Sequence, residues 1–146
     1  MDGPVVKVRR LKAGARLPLR ATEGATGLDL FACIDGGGPL TLGRQPQLVG
    51  TGIAIEVPRG YDVQVRPRSG LSVKGVGVAL GTIDSDYRGE VKVTMYLFGL
   101  DSSYQVVDGD RIAQLVITSL VDMALVEVEE LTTTQRGGGG HGSTGA

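Results

Sequence analysis

Short runs of β-branched and other apolar residues alternate with turn-forming residues along the chain, at 5–8, 48–57, 61–66, 76–80, 91–98, 104–107, 112–120 and 125–128. Inside them the period is two: Val63 and Val65 alternate with Asp62 and Gln64, and Val91 and Val93 with Lys92 and Thr94. Successive strand side chains point to opposite faces, so this pattern predicts half-buried strands. Pro58-Arg-Gly60 and Asp108-Gly-Asp110 supply turn chemistry between runs. Helical spacing is nearly absent, and one short helix is expected after Pro67-Arg-Ser-Gly70, where Leu71 follows. Many short strands at this spacing predict an all-β, jelly-roll-like sandwich. The folded body is expected over 1–130. From Leu131 the chain turns polar, Thr-rich and then Gly-rich, which predicts a flexible arm over 131–146.

Composition narrows the function classes. The 146 residues suit one domain with a real core, and 41% are hydrophobic. A formal net charge of −1 gives no global basic field, so no nucleic-acid partner is expected and any anion site must be local. Two Phe, four Tyr and no Trp are too few for a platform that stacks many bases. Cys33 is the sole cysteine, which excludes an intrachain disulfide and a multi-cysteine metal cage. Its neighbours Phe31, Ala32 and Ile34 predict a buried, inert thiol. With no apolar leader and no run of membrane-spanning length, the chain is expected to be cytoplasmic and without a membrane partner.

Five polar, glycine-containing segments interrupt the β pattern. In Gly24-Ala-Thr-Gly-Leu-Asp-Leu30, Asp29 sits between two leucines, either as an outward-facing strand carboxylate or as an acid near a hydrated metal. In Arg66-Pro-Arg-Ser-Gly-Leu71, Pro67 stops strand pairing. Ser69 is then a plain N-cap, or Arg68, Ser69 and Gly70 face a phosphate at the helix start. Residues 81–90, GTIDSDYRGE, place Asp84, Asp86, Tyr87, Arg88 and Glu90 in a tight loop. These charges pair among themselves, or a carboxylate beside an aromatic acts as a general base over a sugar face. In residues 109–116, GDRIAQLV, Gln114 lies within an apolar run, where its amide needs partners or a ligand. The fifth segment, RGGGGHGSTG from Arg136 to Gly145, brackets the chain's single histidine, His141, with glycines. Arg136 precedes it, and Gly142, Ser143 and Thr144 follow. Glycine lets successive N–H groups converge on an anion, and a guanidinium suits phosphate oxygens. A flexible terminal linker is the plain alternative.

Taken together, in this order, these segments resemble the five motifs of the homotrimeric deoxyuridine triphosphatases (dUTPases) over about residues 21–145. The resemblance implies a jelly roll that assembles as a threefold homotrimer with active sites at subunit interfaces. The expected substrate is dUTP, hydrolysed at the α-phosphorus to dUMP and pyrophosphate with Mg²⁺. This would limit uracil in DNA and supply dUMP for dTMP synthesis. By motif, Asp84 would be the carboxylate that activates water. Gly81 and Ile83, in a hairpin over 78–83, would read uracil by their backbone groups, and Tyr87 would pack under the deoxyribose. Arg68, Ser69, Gly70 and Gln114 would hold phosphates, joined by Arg136, Ser143 and Thr144 when the arm closes from a neighbouring subunit. His141 would stack on the base beside Gly142. Asp29 would act through the metal's water shell, and Arg111 is read as structural.

Two features depart from the family pattern. His141 stands where phenylalanine is usual, and an imidazole offers less apolar area. The connection over 74–80 lacks the longer, Asn-containing hairpin of many relatives, which leaves open which backbone atoms read the base. Two other readings compete. A deoxycytidine triphosphate deaminase would share the fold but needs a glutamate where Thr94 stands, and lacks such an arm. A non-catalytic nucleotide sensor would keep the trimer without turnover, against which Asp84, Tyr87 and the complete fifth motif argue.

Overall fold

The computed structural model describes residues 2–145, so Met1 of the expected body and Ala146 of the expected arm lie outside the described residues. Among the described residues, eleven strands, one short α-helix and a 3-10 turn at Asp35–Gly37 are present, in chain order β1 Lys7–Arg10, β2 Leu28–Phe31, β3 Leu40–Leu42, β4 Gln47–Gly50, β5 Ile53–Glu56 and β6 Tyr61–Arg66, then α1 Ser69–Ser72, then β7 Val76–Val78, β8 Gly81–Ile83, β9 Lys92–Leu97, β10 Tyr104–Val106 and β11 Arg111–Ser119. They form four antiparallel sheets, ordered β2-β11-β6-β8, β4-β9-β7, β1-β5 and β10-β3. The fold is therefore all-β with one short helix, as the period of two predicts. Among the described residues, no helix is long and apolar enough to cross a membrane.

The alternation places Val63, Val65 and Leu115 of the four-stranded sheet in one core with Val49, Val76, Val93 and Met95 of the three-stranded sheet. Cys33 is buried in the same core, and burial, reinforced by the nearby Asp108 charge, pushes its thiol pKa up. That fits the inert role its neighbours predict.

Several elements differ from the sequence pattern. The single strand expected over 48–57 is two strands, β4 and β5, in different sheets. The break falls at Thr51-Gly52: the Thr51 hydroxyl donates to the Val91 carbonyl, and Gly52 adopts φ +70. A Cβ at Gly52 would lie 2.9 Å from Cys33 Sγ and 2.9 Å from Ala15 Cβ, so both the backbone and the space demand glycine. The first strand is Lys7–Arg10, two residues beyond the expected start, because Lys7 pairs opposite Glu56 on β5.

The hairpin expected over 78–83 is not a paired hairpin. β7 pairs with β9 while β8 pairs with β6, so Ala79 and Leu80 carry the chain from one sheet to the other. Alternation is blind to this crossover, because both strands satisfy it equally well. The strand expected over 125–128 does not form within this chain. Leu125 is 93% exposed and Val126 77%, and a strand without a partner leaves its ladder groups unpaired. β11 ends at Ser119, and every residue over 121–138 is exposed.

The Gly52 corner yields a direct check. Gly52→Ala combines left-handed strain with overpacking and is expected to lower stability by about 2–4 kcal/mol, read as a shift of the urea midpoint at unchanged m-value.

Candidate active site

The turn after β8 is built largely from its own residues. The Tyr87 amide donates to the Asp84 carbonyl (3.0 Å), closing the turn, and the Tyr87 hydroxyl donates to the Glu90 carbonyl (2.8 Å). The Tyr87 ring lies against Gly89, where any Cβ would collide with it. Arg88 donates to the Ser85 carbonyl at 2.7 Å and to the Tyr87 carbonyl at 3.1 Å. Glu90 turns its carboxylate toward the Gly52 amide (3.4 Å). Asp84 is left exposed at the head of the turn. Together with Gly81, Ile83 and Tyr87 it lines a pocket of about 310 Å³, and on its other side it borders a larger cavity of about 630 Å³.

Four residues of the smaller pocket escape motif reasoning: Leu48, Val65, Val91 and Lys92. Val65 lies opposite Gly81 in the β6–β8 register, and Leu48 opposite Thr94 in the β4–β9 register. Val91 and Lys92 simply continue the chain after Glu90, whereas Leu48 and Val65 come from strands distant in sequence, which only strand pairing could have found. Thr94, on that same β9, is half-buried.

A second cluster forms around Asp29. Its Oδ1 accepts from Arg68 Nε (3.2 Å), and its Oδ2 lies 3.6 Å from Arg111 Nη1. Arg68 Nη1 also donates to the Arg111 carbonyl (3.2 Å). The Asp29 side chain is only 12% exposed, so it is not the outward strand carboxylate of the plain reading. Registry explains the convergence: Asp29 on β2 lies opposite Gln114 on β11, which lies opposite Arg66 on β6. Gln114 uses its amide group within the chain, donating to the Pro67 carbonyl (2.9 Å). Its side chain fills the space beside Gly27, where a Cβ would collide with it.

Arg68, not Ser69, occupies the N-cap position of α1, and it makes no side-chain capping bond. Ser69 and Gly70 stand exposed on the first turn, while the Leu71, Ser72 and Val73 amides are satisfied by the Arg68 and Ser69 carbonyls. Among the described residues, the fifth segment bonds to itself and to Thr134 just before it, whose hydroxyl accepts from the Gly137 amide (3.1 Å). Arg136 Nε donates to the Gly139 carbonyl (2.6 Å), the Gly139 amide donates back to the Arg136 carbonyl (3.2 Å), and the Ser143 amide donates to the Gly140 carbonyl (3.0 Å). His141 sits at φ +52, a conformation uncommon outside glycine, and with Gly142, Ser143 and Thr144 it is exposed.

The sequence-derived residues thus fall into three groups within one chain. Gly81, Ile83, Asp84 and Tyr87 share a pocket. Arg68 and Asp29 pair directly, with Ser69, Gly70 and Gln114 beside them. Arg136, His141, Gly142, Ser143 and Thr144 lie on the arm. An exposed carboxylate on the rim of a partly apolar pocket, with a separate cluster of two arginines around a buried aspartate, defines an all-β protein with a concave candidate ligand site.

Comparison with known proteins agrees with this class. The sequence model of the dUTPase family matches residues 13–145. The chain is 50% identical over 143 residues to the deoxyuridine 5'-triphosphate nucleotidohydrolase of Hydrogenobaculum sp., covering 94% of this chain and 96% of that protein. It is 52% identical over 149 residues to the one from Anaeromyxobacter sp., covering 96% and 97%. Among solved structures, a Staphylococcus bacteriophage 80alpha dUTPase with dUPNHPP superposes with a TM-score of 0.86 at 27% identity, covering 97% of this chain and 99% of that one. A mutant dUTPase from phage phi11 of S. aureus, described with a structural Mg(II) ion, gives 0.80 at 25% identity over 88% and 99%. This chain belongs to the dUTPase family.

The Asp29 cluster generates its own test. Asp29→Asn leaves two guanidinium groups facing a neutral amide and is expected to cost about 1–3 kcal/mol of stability. The half-exposed Arg111→Ala should cost less than about 1 kcal/mol. Chemical denaturation of the two variants side by side gives the comparison.

Proposed function

We propose that this protein is a dUTP diphosphatase that hydrolyses dUTP to dUMP and pyrophosphate, with Asp84 directing water onto the α-phosphorus. The observation that carries this reading is the exposed Asp84 carboxylate on the rim of the pocket formed by Gly81, Ile83 and Tyr87. Phosphoryl transfer through a loose transition state calls for positioning and charge neutralisation more than for a strong base, and a lone carboxylate on a braced turn suits that task. The relatives' names specify deoxyuridine triphosphate, and a solved relative holds a dUTP analogue. The Gly81 and Ile83 backbone would match uracil's donor and acceptor pattern. Cytosine would leave buried polar groups unpaired. Tyr87 would pack under the deoxyribose and leave no room for a 2′-hydroxyl.

Arg68, Ser69, Gly70 and Gln114 would hold the phosphates, and Arg136, Ser143 and Thr144 would join them from the arm, with His141 stacked on the base beside Gly142. The donor set around Asp29 is one hard carboxylate already shared by two arginines. Among the described residues no group of three or more His, Cys, Asp or Glu converges. This set fits a Mg²⁺ that keeps its water shell and is held chiefly by phosphate oxygens, with Asp29 accepting from a coordinated water. When bound, the ion would neutralise charge on the triphosphate.

The working unit is proposed to be a homotrimer, in which the body supplies the pocket and the arm over 131–146 closes a neighbour's site. Support comes from the separation of the three residue groups within one chain. Exposed Met123, Leu125, Val128 and Leu131 on the chain after β11 also leave apolar area that a partner would bury.

Incubation with dUTP and Mg²⁺ should release pyrophosphate, whereas dCTP, dTTP and UTP should release far less. Asp84→Asn should lower kcat by about 10²–10⁴-fold with the fold retained. No pyrophosphate from any nucleotide would leave the sensor reading in place. Truncation after Gln135 should leave a folded trimer with badly impaired turnover, assayed by light scattering and pyrophosphate release. Loss of folding would show that the arm is structural.

A further inference from the structure

Among the described residues, no hydrogen bond or ion pair holds the Asp84 carboxylate, and the side chain is exposed. Its aim is therefore set by the backbone turn that carries it. Asp84 and Tyr87 of that turn line the pocket, while Arg88, which does not line it, bonds the turn's Ser85 and Tyr87 carbonyls. The Arg88 guanidinium reaches three acceptors at once: Nη1 donates to the Ser85 carbonyl (2.7 Å) and the Tyr87 carbonyl (3.1 Å), and Nη2 donates to Glu56 Oε1 (3.1 Å). Glu56, at the end of β5, is itself fixed. Its other oxygen, Oε2, accepts from Lys7 Nζ (2.8 Å), and Lys7 stands directly opposite Glu56 in the β1–β5 ladder.

We infer that Arg88 is a positioning residue for the hydrolysis, stapling the Asp84–Tyr87 turn to the β1–β5 sheet through the carboxylate of Glu56. The staple uses the planar fork of arginine, which offers several donors in fixed directions. A lysine ammonium is a point charge and does not reproduce them. Both side chains of the pair are substantially exposed, 53% for Arg88 and 40% for Glu56. Exposed pairs of this kind add little to global stability, so the consequence of the contact is local geometry. Lys7, and then Arg88, hold the Glu56 carboxyl below the usual carboxylate range. A depressed folded pKa keeps the anchor charged at neutral pH and loses it only as pH falls through that lowered value.

The inference rests on Asp84 being the water-directing acid, and the experiment separates the two claims. Steady-state hydrolysis of dUTP with Mg²⁺ would be compared for wild type, Asp84→Asn, Arg88→Ala, Arg88→Lys, Glu56→Gln and the Arg88→Ala/Glu56→Gln pair, each with its melting temperature. Arg88→Ala should lower kcat by about 10- to 100-fold, the loss expected when a reacting group is misplaced by about 1 Å. KM should hold within about twofold, since only transition-state alignment is lost. Arg88→Lys should fall between, and millimolar guanidinium should restore part of the Arg88→Ala rate. Glu56→Gln should lower kcat in the same direction, and the double variant should be no worse than Arg88→Ala, because the two act as one unit. If Asp84→Asn is inactive while Arg88→Ala keeps its kcat, or raises only KM, Arg88 is not a positioning residue and the assignment of Asp84 stands. If Asp84→Asn retains its activity, the assignment of Asp84 fails and the inference falls with it.

Discussion

The buried carboxylate of Asp29 is the contact around which the junction of β2, β11 and α1 is organised. It lies where β2, β11 and the β6–α1 connection meet, and its two oxygens engage one guanidinium from each of the latter two. Two arginines brought this close would repel each other and splay the connection apart without an anion between them. The Arg68 bond to the Arg111 carbonyl then links backbone and side chains into one unit. That connection also carries Pro67, whose carbonyl accepts from Gln114, so the start of α1 is fixed from two strands at once. The four-residue helix would not persist alone, since helix nucleation is unfavourable and so short a segment gains almost nothing from propagation. It is held by what surrounds its first residues.

How far the sequence discloses this arrangement depends on whether the information is local. Val63/Val65 and Val91/Val93 reveal β6 and β9 because alternation is a property of the strand itself. Gly52 and the fate of 78–83 stayed hidden for the opposite reason. Whether a chain turns a corner into a second sheet depends on which distant strand offers it hydrogen bonds. Asp29 is the clearest case. A lone acid between leucines reads equally well as an outward strand residue until the register sets it opposite Gln114 on β11 and its oxygens meet Arg68 and Arg111. Motif order supplies Gly81, Ile83, Asp84 and Tyr87 of the pocket, yet Leu48 and Val65 line it without belonging to any motif, since strand pairing brings them there.

The two ends of the candidate site differ in how they are held. The Asp84 turn is braced by the Tyr87 amide and hydroxyl and by Arg88, all within a span of seven residues and one neighbouring sheet. Such short-range bracing survives exposure to solvent because each bond closes a small ring. The arm is the reverse: among the described residues its glycines and exposed side chains hydrogen-bond only within the arm, and no hydrogen bond ties it to the body.

That contrast bears on how the proposed reaction would discriminate its substrate from its product. Ordering roughly ten residues of so glycine-rich a segment costs on the order of 10 kcal/mol in backbone entropy. A triphosphate presents several charged oxygens to Arg136, Ser143, Thr144 and the arm's amides, and charge-assisted bonds are the strong ones. A monophosphate leaves most of those donors without an acceptor, so it offers far less to offset the cost. On this reading the arm would close over dUTP and open over dUMP without any dedicated switch. The rigid turn, in contrast, would keep Asp84 aimed through both states. Stiffness at the proposed reacting carboxylate and looseness at the proposed phosphate strap would then be two parts of one design. The first would fix alignment, and the second would tie closure to the number of phosphates present.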